Sequence, residues 1–236
     1  MFGIGTVLVG VAYLAFVFVR EPAGVIKHRE PLRMMVGRIP GVLRTDDSFR
    51  RYLRVRYLAL TALLAEPFYA VYAIDRLGAS VSALGGFVII ATFAAIATNF
   101  GLRRMADRAQ NVTVLQIAGG LLVLAPIAAL VLHDPAWFAI VFTLSAAGVS
   151  AMEISAWNLL YAVSPAAERP LYVGVANTVL AVPSFAPVAA GVLAPLTGFP
   201  VLFALAACVA AASLGFSFRF VRMRALDRAA LENAPR

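Results

Sequence analysis

The chain has little of what most enzymes use. It holds one cysteine, Cys208, and two histidines, His28 and His133, which excludes a disulfide framework and a Cys/His metal cluster. Lys27 is the only lysine and lies outside every apolar run, so no lysine amine inside a span can carry a retinal-type linkage. No clustered His or Asp motif and no nucleophile beside a base is present. The chain is therefore expected not to be an enzyme, and no cofactor is implied. Charge is also scarce. Charged residues make up 14% against 62% hydrophobic, with a mean hydropathy of +0.87. That is too little polar surface to coat a soluble globule of 236 residues.

What the chain does have is long apolar runs. Seven recur, at residues 2–19, 57–74, 81–101, 112–132, 137–161, 171–193 and 200–218. Each is long enough to cross a hydrocarbon core of roughly 30 Å as a helix. The runs are continuous rather than alternating, which excludes a barrel and leaves helices that satisfy their own backbone groups. The expected fold class is an all-α membrane protein with seven transmembrane helices.

The basic residues orient them. The stretch 20–56 carries Arg20, Lys27, Arg29, Arg33, Arg38, Arg44, Arg50, Arg51, Arg54 and Arg56. The turn 102–111 carries Arg103, Arg104 and Arg108, the turn 162–170 carries Arg169, and the tail 219–236 carries five more arginines. The opposite side has only Arg76. The positive-inside rule then places the amino terminus outside and the carboxyl terminus in the cytoplasm of a multi-pass cell (inner) membrane protein. Seven spans are what such ends require. The net charge of +8 flanks apolar spans and has no soluble face to present, so the expected partner is the lipid bilayer and not nucleic acid.

Four regions follow: a first helix within 1–19, a basic cytoplasmic linker at 20–56, a six-helix bundle at 57–218 and a tail at 219–236. No basic residue precedes the first run, so it reads as a retained helix, not a cleaved signal. The middle of the linker mixes basic and apolar residues and suits the inner membrane surface. At its end, Thr45 or Asp46 can cap a helix that continues into the second span.

Only two acids lie well inside spans, Glu66 and Glu153. A charge at a helix centre costs about 2.5–3.5 kcal/mol, so such residues face water or a partner. Counted from the cytoplasmic ends of their spans, both are expected at one depth. Glu66 shares a helical face with Ala62, Tyr69 and Ala73. Pro67 follows and is expected to bend the helix. Ala146, Ser150, Glu153, Trp157 and Tyr161 form a second stripe, and the sixth span adds Asn177, Thr178, Pro183, Ser184 and Pro187. Candidate binding residues for a substrate or proton are Glu66, Tyr69, Ser150, Glu153, Trp157 and Asn177. Tyr69 and Trp157 offer rings to a cation. The plainer alternative is that both acids are protonated or hydrogen-bonded packing residues. Gly148, Ala147 and Ala151 are expected to allow close helix contact.

The turn Asn99-Phe-Gly-Leu-Arg-Arg-Met-Ala-Asp-Arg-Ala-Gln-Asn111 resembles the Gly-x-Leu-Ala-Asp-Arg-x-Gly-Arg-Arg signature of the major facilitator superfamily. Met105, Ala106, Asp107 and Arg108 match its middle, while Arg103 and Gln110 stand where that family has glycine. The segment Ala167 to Gly174, with Asn177 and Pro183, is similar to a later turn of the same family. The order of parts resembles the carboxyl-terminal half of such a transporter, its last seven of twelve helices. The resemblance implies a secondary active transporter, or a truncated second half of one. It would move a small-molecule substrate by alternating access, with proton coupling as an option the acids favour. It implies a missing amino-terminal bundle or a second copy as partner. It also implies that Arg103, Arg104, Asp107 and Arg108 act as a cytoplasmic gate. The alternative is a non-transport membrane assembly or pigment-associated factor on the same fold.

Overall fold

The apolar runs form helices, and no strand occurs among the described residues. The computed structural model describes residues 6, 9–11, 13–14, 32–107 and 110–232, with side chains over 37–106 and 110–219 and at the six early positions. The chain divides into a unit of residues 1–38 and a larger unit of residues 39–236. The early positions, from the first expected span, are helical and exposed. The rest of that span and residues 20–31 lie outside the described residues.

Nine further α-helices occur among the described residues: α1 Leu32–Thr45, α2 Asp47–Ala62, α3 Glu66–Asp75, α4 Val81–Asp107, α5 Asn111–Val131, α6 Ala139–Val163, α7 Arg169–Ala181, α8 Ala186–Thr197 and α9 Phe199–Glu232. Two short 3-10 turns, Leu63–Ala65 and Pro183–Phe185, join α2 to α3 and α7 to α8. Among the described residues, six spans long and apolar enough to cross a membrane run over Asp47–Asp75, Val81–Ala106, Asn111–Val131, Ala139–Val163, Arg169–Thr197 and Phe199–Arg219. The chain is an all-α, multi-pass membrane protein.

The first of these spans starts ten residues before position 57, and the reason is local. Asp46 adopts an extended conformation, with φ −96° and ψ 100°, and its carboxylate accepts the Phe49 amide at 2.9 Å. Asp47 in the first turn pairs with Arg50 at 3.0 Å and with Arg51. This is the capped start that the sequence signals, and it carries the end of the basic stretch into the membrane helix.

Pro67 follows a local break in the α-helix. Proline cannot donate to the carbonyl one turn back. The Leu63 carbonyl is instead taken by the Glu66 amide in a tightened 3-10 turn. Pro183 opens the matching break in the α7–α8 span.

The bundle packs α5 against α6 and α9, α4 against α6, and α9 against α2. The α7–α8 span lies along α2 and the first 3-10 turn. Gly148 sits where a Cβ would meet Leu122 at 3.0 Å and Leu121 at 3.2 Å, so the close α5–α6 approach requires glycine. At the end away from the basic stretches, Tyr69, Tyr72, Phe138, Phe199 and Phe203 form an aromatic core. Tyr72 lies 5.7 Å from Phe138 and 5.3 Å from Phe203, centroid to centroid.

Candidate functional site

Arg56 carries the main surprise. In the sequence it reads as one of many charges that fix topology. In the structure α2 has already run for two turns by that point. Phe49, Tyr52, Arg56 and Ala59 recur on its buried stripe, so Arg56 points into the bundle. It is only 9% exposed. Its guanidinium donates to Glu153 Oε1 on α6, forming an ion pair between two spans. The Glu153 side chain is half exposed, so one face of its carboxylate remains accessible beyond the pair. Tyr52, buried one turn earlier on α2, stands within electrostatic range of both charges.

This pair corrects the expected levels of the two acids. Tyr72 meets Phe138 at one end of the α2–α3 span, and Arg56 meets Glu153 nearer the other. About fifteen residues separate the two contacts along each helix, so the helices run antiparallel in one consistent register. Glu153 therefore lies level with Arg56. Glu66 lies about ten residues farther along, roughly 15 Å of helical rise. The levels differ because the helix begins with Asp47 at the Asp46 cap, ten residues before the hydropathy edge at position 57.

Glu66 is exposed at the start of α3, directly after the 3-10 turn, and has no hydrogen-bond or ion-pair partner for its carboxylate among the described residues. Ala62, Tyr69 and Ala73, expected to share a cavity face with it, are buried instead. Tyr69 is 4% exposed with its ring 5.3 Å from Phe203, so it packs the core and presents no ring to a ligand.

Ser150 is also committed elsewhere. It donates to the Ala95 carbonyl at 3.2 Å and is hydrogen-bonded to the Asn99 amide, clipping α6 to α4. Trp157 is exposed and lies one turn from Glu153 on α6, with Tyr161 6.3 Å beyond it. The guanidinium of Arg169 rests 5.8 Å over the Tyr161 ring.

Asn177 is exposed on α7. Its level follows from two contacts between parallel spans. The Tyr172 hydroxyl donates to Asp46 at 2.9 Å, and Gly191 approaches Phe68. By that register Asn177 falls level with the Arg56–Glu153 layer, not with Glu66. Arg56, Glu153, Trp157 and Asn177 therefore share the arginine-rich half of the bundle, while Glu66 stands apart, just past the first 3-10 turn.

Arg103 and Arg104 are exposed near the end of α4 and have no acid partner among the described residues. Arg108 and the Asp107 side chain lie outside the described residues, so the expected gate is represented here by its two arginines alone. No protein-family model and no curated protein sequence matches the chain.

Two residues that the sequence reading passed over belong to it. Arg56 could have been found from the cap, because extending the helix back to Asp46 puts an arginine in an apolar stripe. Asn99 had no such signal; its contact with Ser150 depends on the packing of α4 on α6. In chemical terms, the site offers a charge-compensated pair with one accessible carboxylate face, neighbouring aromatic rings and a separate unpaired carboxylate beside broken helices.

Proposed function

We propose that the chain is a secondary active transporter bundle that moves a small molecule by alternating access, with Glu66 as the proton- or cation-responsive group. The observation that carries this reading is Glu66 itself: an acid inside a span, unpaired, at a helix break, beside a second broken span. Unpaired intramembrane carboxylates face water-filled paths, and discontinuous helices mark transport sites. Glu153, already compensated by Arg56, suits an inner-layer contact for a polar or cationic substrate, with Trp157 as its aromatic wall.

Six spans supply one wall of a central cavity. The opposing wall would come from an amino-terminal bundle or a second copy. The α4 and α7–α8 spans leave room for one, burying only 6% and 11% of their apolar windows. The charge asymmetry supports an inner-membrane orientation with the carboxyl terminus in the cytoplasm. Membership of the major facilitator superfamily rests on the Asp107-Arg108 turn and the order of parts. The gate role of Arg103, Arg104, Asp107 and Arg108 belongs to the same proposal, as does the absence of enzymatic activity.

The test is proton movement on adding a panel of small organic cations and weak acids to vesicles from cells expressing the chain. Transport predicts a substrate-dependent signal that Glu66→Gln abolishes while the protein remains in the membrane. An unchanged signal in that variant would refute the role of Glu66. No signal across the panel, with intact protein present, would exclude transport by this chain or by two copies of it and leave a separate amino-terminal bundle or the assembly-factor alternative.

A further inference from the structure

On the far side of α2 from Glu153 lies a cavity of about 280 Å³ that the transport reading does not use. It opens between α2, α7 and α9 and is lined by Leu53, Arg54, Tyr57, Leu58, Val179 and Phe216. Arg54, Tyr57 and Leu58 lie three and four residues apart, so they share one face of α2. The wall is apolar apart from the tips of Arg54 and Tyr57. A water molecule needs two to four polar partners, which this wall does not supply, so water is a poor occupant.

Two cations border the cavity. Arg54 is exposed and has no acid partner among the described residues, whereas its neighbours Arg50 and Arg51 are both taken by Asp47. Arg219 is exposed, and its guanidinium lies 5.4 Å from the centroid of the Phe216 ring that lines the cavity. Buried Ser213 donates to the Val55 carbonyl at 2.8 Å and fixes α9 against α2 at this level. The cavity is thus an apolar slot between spans, with two arginines at its arginine-rich end.

We infer that this slot binds an anionic phospholipid of the leaflet on the arginine-rich side, with one acyl chain in the cavity and the phosphate at Arg54 and Arg219. The volume suits part of a chain and is too small for most drug-sized ligands, which occupy about 300–1,000 Å³. Basic pockets between spans on that side are suited to anionic headgroups, each arginine contributing about 1 kcal/mol. The same chemistry could also serve a free anionic amphiphile, and the experiment separates the two.

The full chain, purified in mild detergent, would be titrated with phosphatidylglycerol, phosphatidylcholine, dodecyl phosphate and inorganic phosphate. Bound ligand would be counted by native mass spectrometry. Phosphatidylglycerol is expected to bind, to be favoured over phosphatidylcholine, and to resist displacement by inorganic phosphate. Arg54→Gln and Arg219→Gln should each weaken it about fivefold, and the double variant about 25-fold. Val179→Trp, which fills the slot without touching a charge, should abolish it. Val179→Phe serves the same purpose if the larger ring impairs helicity. Unchanged binding in the double variant, or equal retention of phosphatidylcholine, would overturn the inference. Dodecyl phosphate binding more tightly than phosphatidylglycerol would reassign the slot to a free amphiphile.

Discussion

Removing either partner of the Arg56–Glu153 pair should destabilise the bundle, but by unequal amounts. Arg56 is 9% exposed, whereas half of the Glu153 side chain is open. Glu153→Ala therefore leaves a buried guanidinium without its acceptor. Breaking a buried pair costs about 3–5 kcal/mol, and an exposed pair contributes about 0–1 kcal/mol. With one partner buried and one half open, we expect about 2–3 kcal/mol for Glu153→Ala. Arg56→Ala leaves a carboxylate that solvent or headgroups can reach. It should cost about 1–2 kcal/mol, much of it lost packing of the arginine stem. The double variant should cost less than the sum, with a coupling of about 1 kcal/mol. The assay is denaturant unfolding in micelles, followed by circular dichroism. Strict additivity, or a larger cost for Arg56→Ala than for Glu153→Ala, would refute this account of the pair.

Three further outcomes follow from the packing. Gly148→Ala pushes a methyl into Leu121 and Leu122 and should cost about 1–3 kcal/mol; Leu122→Ala in the same chain should recover part of the loss, read in the same unfolding assay. Asp46→Ala removes both the α2 cap and the acceptor of the Tyr172 hydroxyl. It should cost about 1–2 kcal/mol, and Tyr172→Phe about 1 kcal/mol, with hydrogen exchange rising at the Phe49 amide only in the first. Gly78 has a φ of +69°, so Gly78→Ala should lower the melting temperature despite open space around the new methyl, at a cost of about 1 kcal/mol.

Much of the fold was legible because a membrane imposes a strong, simple rule. Continuous apolar length gave the described spans to within a few residues at most ends, and Asp46 and Pro67 marked a cap and a break by local chemistry alone. The site was less legible. The hydropathy edge lies at position 57, but Arg56 continues a helix that starts at Asp47. That earlier start sets Glu66 apart from Glu153 by roughly 15 Å. Periodicity also put Tyr69 and Ser150 on plausible faces, yet it could not say which neighbour each face meets. Tyr69 meets Phe203, and Ser150 meets α4. Those partners come from segments far away in the chain, and a single sequence carries no record of such pairings.

On the transport proposal, Glu66 is expected to face water inside the membrane. Cys208 is the only cysteine, so a Cys208→Ala background allows one reporter thiol to be placed at will. In native membranes, Glu66→Cys in that background should react with a membrane-impermeant, charged thiol reagent. A control on α5, Leu124→Cys, should not react, because α5 is not among the spans left open to a second bundle and this exposed apolar position is then expected to meet lipid. Labelling at position 66 but not at position 124 is the predicted result. Equal protection of both would place Glu66 in lipid or in packing and would contradict the account.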